Sequence, residues 1–124
     1  MSLAEKLESR VADVVRRVLR ELPSDLREVA ERVPVFCEWE MADHWLEEGV
    51  ADDSMGLFCG PALNDPTDPD CYESPRIVFF LAELWDFCDE DLSVFDEESR
   101  ITYIHELGHY LGLNEAELEA RGLL

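Results

Sequence analysis

The chain has 124 residues, 47% of them apolar and 32% charged, with a formal net charge of −20. That balance describes a water-soluble globular chain, and the length is that of one domain, residues 1–124, with a real core. The charge speaks against nucleic acid and anionic membrane surfaces as partners, since both are polyanions, and gives a long-range bias toward cations and basic peptides.

No stretch approaches membrane-spanning length. The opening "MSLAEKLESR" is charged from Glu5 onward and has no unbroken apolar run, so it does not read as a signal peptide, and the expected compartment is the cytoplasm. Cys37, Cys59, Cys71 and Cys88 then count as thiols. No two of them form a C-x-x-C pair, so a zinc knuckle has no support. Semi-buried structural thiols are the expectation, with a disulfide between loop cysteines as the other reading.

Leu3, Leu7, Val11, Val14, Val15, Val18, Leu19 and Leu22 fall at helical spacing, Ser2 and Glu5 at the spacing of a capping box, and Pro23 stops the pattern. "SDLREVAERV" predicts a shorter helix capped by Ser24 or Asp25, with Leu26 and Val29 inward. In "VFCEWEM", Val35, Cys37 and Trp39 alternate with Phe36, Glu38 and Glu40, as in a strand. "ADHWLEEGVADD" is polar, worth one or two helical turns. "SMGLFCG" predicts a short, glycine-flanked edge strand.

"PALNDPTDPDCYESP" keeps no hydrophobic period and predicts a long exposed loop. "RIVFFL" is the strongest strand signal, β-branched and aromatic together. "AELWDFCDEDLSVF" predicts an irregular or partly helical connector, its acids serving solvation and helix capping. Ser93 or Asp96 is the expected cap of a helix that runs to Leu111.

That last helix carries "HELGHYLGLNE". On a wheel of about 100° per residue, Ile101, Ile104, Leu107, Gly108 and Leu111 form one apolar arc. His105 and His109 lie about 40° apart on the adjoining face, one turn above the other. Two imidazoles so placed can aim nitrogens at one point, and zinc takes ligand nitrogens about 2.0–2.1 Å away. Glu106 falls about 60° from His109, on the side away from the apolar arc, where it can reach a bound water without being a ligand. Two ligands and one base on a single rigid helix is what H-E-x-x-H provides. Gly112 can end the helix in a left-handed turn and bring Glu115 back as a third ligand. That makes a His2Glu set with one position open for water, the catalytic rather than the structural arrangement. Glu117 and Glu119 stay possible ligands. Asn114 also has cap spacing to Glu117, which opens a last short helix.

Other polar residues have plainer readings. His44 reads as a surface histidine, with a fourth ligand or oxyanion donor as the alternative. Tyr103 and Tyr110 read as packing residues, with oxyanion stabilisation as the alternative.

"HELGHYLGLNE" fits H-E-x-x-H-x-x-G-x-x-[DE] and resembles the zincins, especially the metzincin layout, in which a third ligand follows a glycine turn. The whole chain resembles the short bacterial zincin-like metallopeptidases: a leading helix, "LPSDLREV", a strand, the "GLFCG" strand, a polar loop, "RIVFFL", then the motif helix. The resemblance implies an α+β zincin-like fold, with a small sheet of three to four strands against the N-terminal helix and the motif helix. It implies a zinc-dependent peptidase holding one Zn2+ per chain on His105, His109 and Glu115, with Glu106 as general base. The expected substrate is a peptide or protein, with a bias toward basic ones. An extended peptide would add along the edge strand "MGLFCG". The chain departs from a full metzincin in two ways. Glu115 replaces a third histidine, and no methionine follows residue 115 to form the turn beneath the metal. Two readings from other classes compete: a non-catalytic metal-binding module, and an acidic interaction protein that keeps the fold.

Overall fold

The computed structural model describes residues 1–63 and 74–124; most of the loop expected over residues 61–75, Cys71 included, lies outside them. Among the described residues the architecture is α+β. The N-terminal helix α1 (Leu3–Glu21) opens on the expected capping box: the Ser2 hydroxyl accepts from the Glu5 amide, and the Glu5 side chain accepts from the Ser2 amide. α2 (Ser24–Ala30) follows, but neither Ser24 nor Asp25 caps it. Pro23 stands at the cap position without a side-chain bond, and Ser24 is already helical. Proline's fixed φ sets the helix entry and leaves no side-chain acceptor.

β1 (Val35–Glu38) is shorter than the alternation suggests, because the chain leaves the sheet before Trp39. α3 (Asp43–Glu47) is the expected turn or two. β2 (Gly56–Cys59) and β3 (Arg76–Phe80) complete a three-stranded sheet of order β1-β3-β2. β3 is central, parallel to β1 and antiparallel to β2, which makes β2 the edge strand that its glycines suggest. Centrality explains the unbroken apolar run of β3. Ile77 and Phe79 join the main core with α1 and the helices that follow, while Val78 and Phe80 face a second cluster around Trp45. A strand covered on both faces has no reason to alternate.

The segment after β3 takes the partly helical form of the expected connector. Leu81–Phe87 is a helix, α4, with Leu81 and Leu84 buried. The motif helix, α5 (Leu92–Leu111), starts earlier than expected. Its cap is Asp91, whose carboxylate accepts from the Ser93 and Val94 amides. Asp96 does something else: it holds Arg10 of α1 through two bonds, at 3.0 and 2.6 Å. α6 (Glu115–Ala120) ends the fold, with the expected Asn114–Glu117 capping box.

α5 is the centre of the molecule and touches α1, α4, β2, β3 and α6. A single apolar arc is therefore too simple a description of it. Ile104, Leu107, Gly108 and Leu111 are buried as expected, but Ile101 is 38% exposed, and Phe95, Thr102, Tyr103 and Tyr110 are buried outside that arc. Among the described residues no helix is long and apolar enough to cross a membrane. Cys37 and Cys88 are free thiols, and Cys59 is buried. Burial pushes the Cys37 thiol up to about 12, with Glu8 adding to the rise, which makes it a packing group and not a nucleophile.

Candidate metal centre

The site is built where α5 ends. Gly112 takes the left-handed conformation, φ 72° and ψ 25°, and the Leu113 amide donates back to the Gly108 carbonyl at 2.9 Å. This closes the helix and reverses the chain. Gly108 makes the reversal tight: a Cβ there would stand 2.8 Å from Leu118 Cδ1 and 3.2 Å from the Leu113 carbonyl oxygen, so a larger residue would have to push the Leu118 side chain aside. Leu118 is 1% exposed and anchors α6 in the core. These two glycines are why Glu115 returns to the histidine face. Its Oε1 lies 3.2 Å from His105 Nε2.

His105 and His109 stand one turn apart with ring centroids separated by 6.2 Å and planes at 86°. Both are solvent-accessible, His105 by 40% and His109 by 59% of the side chain. Glu106 is different. The wheel puts it on the side away from the apolar arc, but that side is covered by β2, and its side chain is only 13% exposed. The Phe58 backbone in β2 hydrogen-bonds to its carboxylate. Its Oε2 lies 3.1 Å from His109 Nδ1, so this buried oxygen has the imidazole as its partner, in an ion-pair contact of poor hydrogen-bond geometry. Burial raises the Glu106 pKa above its ordinary value of 4.5, against the opposing pull of His109, the Phe58 backbone and His105.

The expected ligands are thus brought together in part. His105 meets Glu115, and His109 meets Glu106, so the four side chains pair off two by two. Among the described residues no group of three or more His, Cys, Asp or Glu side chains is arranged to hold a metal ion. The two imidazoles, which can aim at one point, are here turned to different carboxylates. The His109 ring is turned toward the Glu106 carboxylate.

The donor set nevertheless fits a zinc ion. Two imidazoles and one carboxylate are the chemistry it prefers, and the rings and Glu115, 71% exposed, have room to turn. The Glu106 carboxylate, buried beside the pair, is held by the Phe58 backbone and His109 and stays out of the donor set. Two hollows flank His105. One, about 490 Å3, runs along Gly108, His109, Gly112, Asn114 and Glu115. The other, about 190 Å3, lies toward the helix N-terminus between α5 and the start of β2.

The remaining candidates fall away from this centre. His44 is exposed and lies against Trp45 at 4.4 Å, in the cluster on the far face of the sheet. Tyr103 is fully buried and Tyr110 packs on Phe58 at 5.7 Å, so both are core residues. Glu117 is occupied by the Asn114 cap. The residue that the wheel reading missed is Phe58, whose backbone holds the carboxylate; its signal was only that "GLFCG" is a strand.

A helix bearing H-E-x-x-H, a glycine turn and an acidic residue, packed beneath the edge of a small mixed sheet, defines the zincin class. A family model described as zincin-like metallopeptidase matches residues 30–123, and the chain belongs to that family. No curated protein matches the sequence.

Proposed function

We propose that the protein is a zinc-dependent peptidase, a single domain holding one zinc ion per chain and cutting peptide bonds by attack of water. The observation that carries this reading is Glu106: a carboxylate buried under β2 and raised in pKa, held by the Phe58 backbone and facing His109 with poor hydrogen-bond geometry, beside two solvent-accessible histidines. A carboxylate kept for stability alone would be fully hydrogen-bonded or in water. Burial without full pairing costs stability, and sites of proton transfer are where such groups gather.

His105, His109 and Glu115 would hold the metal. Zinc, when bound, supplies a Lewis acid that polarises a carbonyl and lowers the pKa of water. Glu106 takes the proton of the attacking water and returns it to the leaving amine; a raised pKa brings it nearer the range in which one group can do both. The Phe58 backbone holds one side of its carboxylate so that the other oxygen faces His109. The outer edge of β2, which pairs with no strand among the described residues, offers backbone groups to an extended peptide. The acidity of the chain favours basic peptides and argues against nucleic acid and anionic membranes.

The test is cleavage of an unstructured peptide library by the zinc-loaded protein, followed by mass spectrometry, beside a chelator-treated sample. Zinc-dependent cleavage at defined bonds is expected. A protein that binds zinc stoichiometrically and cuts nothing is a metal-binding module, the competing reading.

Glu115 is expected to be the third ligand because Gly112 and Gly108 bring it to His105. Glu115→Ala should therefore weaken zinc binding more than Glu117→Ala or Glu119→Ala. A chelator competition that ranks Glu117 or Glu119 first overturns the assignment.

A further inference from the structure

The smaller hollow beside His105 is the part of the site with a distinct chemistry. It is lined by Met55, Gly56, Glu98, Ile101, Thr102, His105 and Glu106. The five residues from α5 form one stripe at i, i+3, i+4, i+7 and i+8, so the hollow runs along the helix from the histidine toward its N-terminus. Its volume of about 190 Å3 is below that of a small-molecule site and suits one side chain. The floor is set by close packing. A Cβ on Gly56 would stand 2.6 Å from Thr102 Cγ2 and 3.8 Å from Glu106 Cγ, so the glycine lets β2 lie directly against the helix at the edge of the hollow.

The walls are apolar and the far end is charged. Met55 and the exposed side of Ile101 provide the walls. Glu98 lies two turns before His105, about 10.5 Å along the helix axis. Among the described residues no arginine, lysine or histidine forms an ion pair with Glu98. An apolar corridor with a lone carboxylate at its end suits a long side chain with an aliphatic stem and a cationic head. A short side chain cannot reach that end, a long neutral one finds no charge to pair with there, and an acidic one is repelled by it.

We propose that this hollow is a specificity subsite that takes an arginine or lysine side chain of the substrate, with Glu98 as its counter-charge. The inference rests on the peptidase reading for the word substrate. It turns the general bias of an acidic chain into a preference at one position.

The test separates the two. The full-length Glu106→Gln protein, in zinc-containing buffer, binds short capped peptides without consuming them, and Glu98 is then the one carboxylate left in the lining. Affinity is measured by calorimetry for an arginine peptide and for the same peptide with citrulline, which keeps the shape and removes the charge. The arginine peptide should bind about tenfold tighter, the size of a hydrogen bond to a charged group. Adding Glu98→Gln should abolish the difference. Adding Glu97→Gln, which removes the same charge from an exposed position in the groove between α1 and α5, should leave it in place. Equal binding of the two peptides, no binding of either, discrimination that survives Glu98→Gln, or equal loss in both variants overturns the subsite. Discrimination by a protein whose wild type cuts nothing leaves the subsite standing and removes the peptidase; cleavage without discrimination does the reverse.

Discussion

His105→Ala and His109→Ala are each expected to abolish stoichiometric zinc binding. Each removes one of two imidazoles, and the remaining donors, one ring and the mobile Glu115, are too few for a tetrahedral site. The loss should be visible in two independent measurements. Elemental analysis of untagged protein should fall from one zinc per chain to near zero. Thermal unfolding should lose its zinc dependence, because a ligand held only by the folded state stabilises it by about 4 kcal/mol at a thousandfold excess over Kd. The metal-free melting temperature should hardly change for His105→Ala, whose side chain lies outside the core, and should fall for His109→Ala, which removes the partner facing the buried Glu106 carboxylate. If either variant keeps wild-type zinc content and affinity, the site lies elsewhere.

The pairing of the side chains bears on how tight that binding is. His105 must leave Glu115 as a partner and share it, and the His109 ring must turn from Glu106. Both movements are made by exposed groups on a rigid helix and cost little. They still subtract from the affinity of a site that would otherwise be preorganised.

The sequence made the motif helix legible and left its surroundings obscure, for physical reasons. Spacing along one helix is geometry, so the i, i+4 histidines, the glycine turn and the Asn114 cap could be read directly. The close approach of Glu115 to His105 follows from the same local geometry. What covers a helix is not local. α5 is enclosed by five elements, and a wheel that assumes one dry face misplaces Ile101 and Glu106. α4 could be read only as one of two alternatives because its seven residues are too few to show a period and an acidic run follows them. The start of α5 was ambiguous for a related reason: Asp91, Ser93 and Asp96 all have capping chemistry, and only the long-range bond from Arg10 shows that Asp96 is engaged elsewhere. The direction of the His109 ring is a choice among rotamers set by the buried Glu106 oxygen, and nothing in the order of residues encodes it.

Glu106→Gln is expected to separate catalysis from stability in a single variant. The amide keeps the size of the carboxylate and one oxygen for the Phe58 backbone, but it cannot take a proton. Cleavage of peptides should fall by about 10²–10⁴-fold, the range for losing a general base. Zinc content should stay near wild type, because the residue flanks the donor set and is not a member of it. The metal-free protein should become more stable at neutral pH. Burial raises the carboxyl pKa above 4.5, so the ionised group is held in the fold at a cost. The sign follows directly: a folded state that binds the proton more tightly than the unfolded chain loses stability as pH rises through the raised pKa. The variant has no such loss. Its melting temperature should exceed wild type at pH 7, and the gap should close as pH falls toward 4.5. The two readouts test different claims. Equal cleavage by variant and wild type removes Glu106 as the base. A variant less stable than wild type at pH 7 means that the ionised carboxylate is well satisfied by His109 and Phe58, and the buried oxygen is then a structural partner. Loss of zinc along with activity makes Glu106 a ligand. Only lost turnover, kept zinc and a pH-dependent gain in stability together describe a group held under strain for chemistry.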